Sequence, residues 1–153
     1  SVNMGKVYDE MEQVSATVNG VTYSGFNINV GNPHAVVFTD DLSTLGSLET
    51  APTVTPAGSY PEGVNVEFVE ITAANEAKMR VHERGSGETQ SCGTGTCAVA
   101  LAATMKSGES LPSRWVIYPP GGRLVVDIDG HSNATLTGPA VLLEDHDVSS
   151  FLS

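Results

Sequence analysis

One segment of this chain gathers the ingredients of thiol chemistry. Ser91-Cys92-Gly93-Thr94-Gly95-Thr96-Cys97 sets a sulfur beside two glycines, directly ahead of the apolar run Cys97-Ala98-Val99-Ala100-Leu101-Ala102-Ala103-Thr104-Met105. That run is rich in good helix formers and has no polar face, which predicts a helix buried on every side. Lys106 falls in its last turn, and Gly108 is placed to cap its C-terminus. The first N–H groups of a helix lack internal partners and carry a positive partial charge. Gly93 and Gly95 remove the side chains that would keep a ligand from the backbone. Such a place suits a carboxylate. The same field favours the thiolate of Cys92 over the thiol, whose unperturbed pKa is about 8.5. A basic sulfur beside a bound carboxylate is the chemistry to expect.

The residues alone leave other readings open. A cysteine beside glycine also serves as a small core residue, and Cys97, inside the apolar helix, fits that role better than Cys92. A zinc site needs four ligands at usable spacing, and the chain offers two cysteines and four scattered histidines, so no metal is expected. A Cys/His protease dyad could be drawn with His34 or His82, but spacing alone does not support it.

The elements that must hold this segment read mostly as strands. Asn19-Gly20 is a strong hairpin signal ahead of Val21-Thr22-Tyr23. Phe26 to Val30 alternates apolar and polar residues, whereas Ala35 to Phe38 is a continuous apolar run that should lie deeper. Leu42, Leu45 and Leu48 suggest one short helix, after which Pro52, Pro56 and Gly58 break regular structure. Val64 to Ile71 and Ala77 to Glu83 pair across a turn near Ala74-Asn75-Glu76. Trp115 to Tyr118, Arg123 to Ile128 and Asn133 to Thr137 follow, with turns at Pro119-Pro120-Gly121-Gly122 and Asp129-Gly130. The expected architecture is a single α+β domain over residues 1–153: a mostly antiparallel, barrel-like twisted sheet wrapped around one central buried helix.

Composition narrows the partners. With 153 residues, 40% of them apolar, the chain can build its own core. A net charge of −11 repels nucleic acid and anionic membranes, so neither is expected as a partner. No stretch approaches the roughly 20 apolar residues of a membrane span, and Ser1 to Lys6 lacks a secretory pattern. Two cysteines five positions apart make no disulfide framework. A cytoplasmic protein with reduced thiols is the simplest expectation.

Several segments together resemble diaminopimelate epimerase. They are Gly31-Asn32-Pro33-His34-Ala35-Val36, Gly63-Val64-Asn65-Val66-Glu67-Phe68, and the specific block from Glu83-Arg84-Gly85 through Cys92-Gly93-Thr94-Gly95, with Pro120-Gly121-Gly122 and Leu136-Thr137-Gly138-Pro139-Ala140. Met4-Gly5 resembles the start of that family's second domain. The resemblance implies one of two similar lobes, each a sheet around a helix, with the active site in the cleft between them. It implies an isomerase that inverts one α-carbon of LL-diaminopimelate to give the meso form, in lysine and peptidoglycan precursor biosynthesis. It also implies no pyridoxal phosphate or other cofactor: one cysteine from each lobe serves, one as thiolate base and one as thiol acid.

Position by position, the resemblance makes Cys92 the catalytic cysteine of the second lobe. Gly93 and Thr94 correspond to residues whose amides hold the reacting carboxylate. Asn32 and Asn65 match asparagines on the distal end of the substrate. Glu83 and Arg84 match the pair that reads the distal ammonium and carboxylate, and His34 and Glu83 match residues that support catalysis. Neighbouring strand residues point to opposite faces, so Glu83 and Arg84 can share a site only at a strand end or an irregularity.

One departure matters. The family's first-lobe cysteine motif is absent, and Cys97, on the same helix as the Cys92 segment, cannot face the other side of a substrate. The expectation is therefore half an active site, inactive alone, whose N-terminal lobe is supplied in cis or in trans. The tail after Ala140 would return to that lobe, and a homodimer is an assembly open to such a protein. Two alternatives stand beside this reading. A proline or hydroxyproline racemase-type lobe shares Cys-Gly-Thr-Gly-Thr, but those enzymes place an acidic residue close before the cysteine, where Gln90 and Ser91 stand here. A non-catalytic binding or assembly module could keep the same fold.

Overall fold

In the computed structural model, residues 2–48, 52–55, 64–83, 87–89, 93–120 and 122–138 are described. The described residues form eleven strands and one long helix: β1 (Val2–Lys6), β2 (Tyr8–Val18), β3 (Val21–Asn29), β4 (Pro33–Phe38), β5 (Thr53–Thr55), β6 (Asn65–Ala73), β7 (Glu76–Glu83), β8 (Gly87–Thr89), α1 (Gly93–Lys106), β9 (Ser113–Tyr118), β10 (Leu124–Ile128) and β11 (Asn133–Thr137). The strands form one sheet in the order β1-β11-β10-β9-β7-β6-β4-β3-β2-β5, with β8 added alongside β7. Its pairings are antiparallel except for β4 with β6 and β7 with β9, which run parallel.

The sheet curls on itself. β1 pairs with β11 at one end of the order, and β2 pairs with β3 near the other. A single residue, Val7, joins β1 to β2, so the first strand of the order and its next-to-last strand lie one residue apart in the chain. Val7 is buried, and its N–H donates to the Ser132 carbonyl at 2.9 Å. The strongly curved, barrel-like sheet wraps α1, which touches β1, β3, β4, β6, β7, β9, β10 and β11.

Wrapping on all sides explains the sequence of α1. From Gly95 through Thr104 every residue of the helix is buried. Small residues let surrounding strands approach, and an apolar surface on every side costs nothing where no side meets water. The helix ends as its sequence predicts. Gly108 has φ 74°, its N–H donates to the Met105 carbonyl at 3.1 Å, and the Glu109 N–H reaches back to the Thr104 carbonyl at 3.0 Å. This is the paired closure that a left-handed glycine permits. The helix begins earlier than its apolar run suggests: Gly93 to Thr96 form its first turn rather than a preceding loop.

Two hydrophobic clusters lie on opposite faces of the sheet. The inner one gathers α1 with Ile28, Val36, Val69, Met79, Val81, Trp115, Ile117 and Leu136. The outer one gathers Val14, Val37, Val66 and Phe68 under Leu42, Leu45 and Leu48. The three leucines do share one buried face, but only a 3₁₀ turn at Leu42–Thr44 forms there, not an α-helix. Strand β5 is a correction. Thr53-Val54-Thr55 pairs with β2 despite the flanking prolines, because three residues between Pro52 and Pro56 keep their N–H groups for an edge pairing. Among the described residues no helix is long and apolar enough to cross a membrane.

Candidate active site

The β3–β4 connection starts the site. Gly31 takes φ 85°, and its N–H is held by Asn29 Oδ1 at 2.7 Å. This tight turn delivers Asn32 and His34 to the start of β4. In the parallel ladder His34 stands opposite Asn65, the first residue of β6. Alternation along β4 and β6 then puts His34, Val36, Asn65, Glu67 and Val69 on the inner face, toward α1. On β7 the same alternation gives the inner face to Met79, Val81 and Glu83 and turns Arg80 and His82 outward.

The polar groups at these strand ends are connected. His34 is fully buried, and its Nδ1 lies 2.7 Å from Glu67 Oε2, with Glu67 also fully buried. Its Nε2 lies 3.1 Å from Asn32 Oδ1. Asn65, nearly buried, donates from Nδ2 to the Pro33 carbonyl at 3.3 Å, tying the start of β6 to the start of β4. Burial pushes the Glu67 carboxyl above its ordinary range; attraction to His34 and their hydrogen bond oppose that shift, and the nearby Glu83 carboxylate reinforces it. One oxygen of Glu67, Oε1, is buried without a hydrogen-bond partner among the described residues. A carboxylate so placed is costly in its ionised form, so the His34–Glu67 pair is driven to hold a proton between its members.

Glu83 is half-buried and is the last residue of β7. Gly93 and Thr94 open α1, Gly93 buried and Thr94 partly so, and no acidic side chain sits in that first turn to offset its positive end. Thr96 donates its hydroxyl to Met79 Sδ at 3.8 Å, which sets this turn over the inner face of β7, the face that carries Glu83. Cys92 and Arg84 lie outside the described residues, as does the tail after Ala140. Cys97 is fully buried within the inner core.

The structure thus brings Asn32, His34 and Asn65 together, with Glu83 near Glu67. It separates His82 from them. His82 Nδ1 donates to the Leu48 carbonyl at 2.6 Å, on the outer face of the sheet. Glu67 is the residue that composition and motif reading pass over. One signal was available: a carboxylate within Asn65-Val66-Glu67-Phe68-Val69, the buried first half of β6, must find a partner. Only the β4–β6 register shows that the partner is His34.

The chain is similar in sequence to known proteins. The family model described as diaminopimelate epimerase matches residues 26–143. The diaminopimelate epimerase of Streptomyces coelicolor is 42% identical over 155 residues, covering 98% of this chain and 54% of that protein. That of Mycolicibacterium vanbaalenii is 41% identical over 97% of this chain and 52% of its own length. That of a Geobacillus species is 39% identical over 80% of this chain and 43% of its own length. The chain spans about half the length of the curated relatives it matches. With most of its length matched and its inner-face polar groups drawn from the matched segments, the chain belongs to the diaminopimelate epimerase family.

Proposed function

We propose that this chain forms one lobe of an enzyme that interconverts LL- and meso-diaminopimelate, with Cys92 as one of two opposed acid/base groups. The observation that carries the reading is the inner-face cluster at the ends of β3, β4, β6 and β7: Asn32, His34, Asn65 and Glu83, all from segments that match the family. In this reading the sulfur of Cys92, as thiolate, takes the α-proton from one face of the amino acid. A thiol on the other face, from a further lobe, returns a proton to the resulting carbanion. The α-carboxylate rests on the N–H groups of Gly93 and Thr94, where the helix end stabilises the charge that develops as the proton leaves. Asn32, Asn65, Glu83 and Arg84 hold the distal amino-acid end. A guanidinium fork suits its carboxylate and a carboxylate suits its ammonium.

The second thiol has no counterpart in this sequence, and the relatives are about twice as long as the matched region. A first lobe, in the same polypeptide or as a separate subunit, completes the proposed site. The test is to combine this chain with a first-lobe protein and follow solvent deuterium entering the α-carbon of LL-diaminopimelate. The expected result is exchange by the mixture, none by the chain alone, and loss of exchange in Cys92→Ala. Exchange that survives Cys92→Ala rejects the role of the sulfur, and turnover by the chain alone rejects the two-lobe requirement.

A further inference from the structure

Among the described residues Glu67 is the only acidic side chain in the buried class. It lies behind His34 rather than at the cluster's edge, and the mechanism proposed above does not use it. The hydrogen bonds around His34 set the direction of every donor in the chain Glu67–His34–Asn32. An amide oxygen can only accept, so the Nε2 that faces Asn32 Oδ1 at 3.1 Å must carry a proton. On the other side of the ring, Nδ1 and Glu67 Oε2 are 2.7 Å apart, which places one proton between them. That proton can reside on the nitrogen, as an imidazolium–carboxylate pair, or on the oxygen, as a neutral pair. Either way the Nε2 proton stays.

Only a third state would remove it. If Glu67 were ionised and His34 neutral, the ring would keep its proton at Nδ1 and turn a bare Nε2 toward Asn32. The amide would then rotate to donate, leaving its oxygen pointing away from the ring. That state carries a net negative charge in a fully buried site, with Oε1 unpartnered and Glu83 close by. Burial disfavours it. In the arrangement present, Asn32 Oδ1 is engaged and its Nδ2 group, half-buried, has no hydrogen-bond partner among the described residues. Two N–H donors are therefore held ready.

We propose that Glu67 is a positioning residue: through His34 it locks the Asn32 amide with its oxygen inward and its two N–H donors presented to a ligand carboxylate. The consequence for ligand binding rests on the function proposed above; the proton arrangement rests on the geometry alone.

Two measurements test it. Nitrogen-15 NMR of the imidazole rings in the unaltered chain is expected to show His34 protonated at Nε2 throughout the neutral range, while His82, which donates to Leu48, is protonated at Nδ1. A bare Nε2 on His34 overturns the proposal and needs no variant to be seen. In the two-lobe enzyme, Glu67→Met is expected to raise KM for diaminopimelate on the order of tenfold with a smaller change in kcat. In an Asn32→Ala background the same substitution should add little. Equal effects in both backgrounds would mean that Glu67 acts only on general structure, and would also overturn the proposal. A two-lobe enzyme without turnover speaks against the proposed function instead, and the NMR result then decides this inference by itself.

Discussion

The two faces of the sheet each bury a histidine, and the pair is instructive. His34 is fully enclosed on the inner face and His82 is nearly so on the outer face. His82 donates to the backbone carbonyl of Leu48, a neutral acceptor, and Arg80 beside it donates to the carbonyls of Leu42 and Gly46 at 3.4 and 2.8 Å. These bonds fasten the leucine-bearing connection over the outer core. His34 instead faces a carboxylate on one side and an amide on the other. Burial is common to both rings; the chemistry of the partners separates them. A histidine against a carbonyl has one stable proton arrangement, whereas one against a buried carboxylate shares its proton and hands that arrangement on.

The largest effect that tests this contrast is kinetic. In the two-lobe enzyme His34→Asn should lower α-proton exchange by about a hundredfold or more, the scale of a lost acid/base or positioning group. His82→Leu should leave exchange per folded molecule unchanged. Equal losses from both would erase the distinction between the faces. Stability tests the outer face. His82→Leu removes the buried N–H that the Leu48 carbonyl accepts, which should cost about 1–3 kcal/mol in urea unfolding. A smaller loss would mean that the carbonyl finds water, and that the outer face is looser than its burial implies.

The pH dependence of stability sharpens the inner side. Glu67 is held above its ordinary value of 4.5 in the folded chain, with burial the main cause. As pH rises past that ordinary value, the unfolded chain releases the proton while the folded chain retains it. The unfolded state then binds fewer protons, so the contribution of Glu67 to stability falls with rising pH until the folded value is passed. Relative to wild type, Glu67→Gln should therefore gain stability from pH 4.5 upward and show no relative change below it. Paired urea titrations across that window measure it, and a difference of the opposite sign would reject the burial argument. At the small end, Arg114 and Asp127 form an exposed ion pair at 2.6 Å. Solvent and salt screen such a pair, so Arg114→Ala should leave the thermal midpoint unchanged within error.

Much of the architecture was legible before any coordinates. The Asn19-Gly20 turn adopts the positive φ angles, 50° and 82°, that a two-residue hairpin demands. The strands from Ala35 to Phe38, Val64 to Ile71 and Ala77 to Glu83 appear within a residue or two of expectation, because alternation and apolar runs report burial directly. Strands β1 and β8 carry no such signal. Val2 to Lys6 is short and largely exposed, and Gly87-Glu88-Thr89 lies inside a glycine-rich stretch; pairing with β11 and β7, not propensity, makes them strands. The site divides in the same way. Asn32, His34, Asn65 and Glu83 were assigned through their motifs, while Glu67, inside the matching Gly63 to Phe68 segment, was given no role.

The sequence by itself determined a buried helix, a strand-rich wrapper, and a cysteine segment set at that helix's first turn. Those features depend on local spacing and on apolar periodicity, which the chain carries whatever its fold. The tertiary structure decided which side chains meet. A parallel register between β4 and β6 joins residues 33 positions apart, His34 and Glu67, and no spacing rule connects them. Inner and outer faces follow from that register as well, because one step along a strand reverses a side chain. It is this step that sends His34 toward the helix and the site, and His82 to the opposite face.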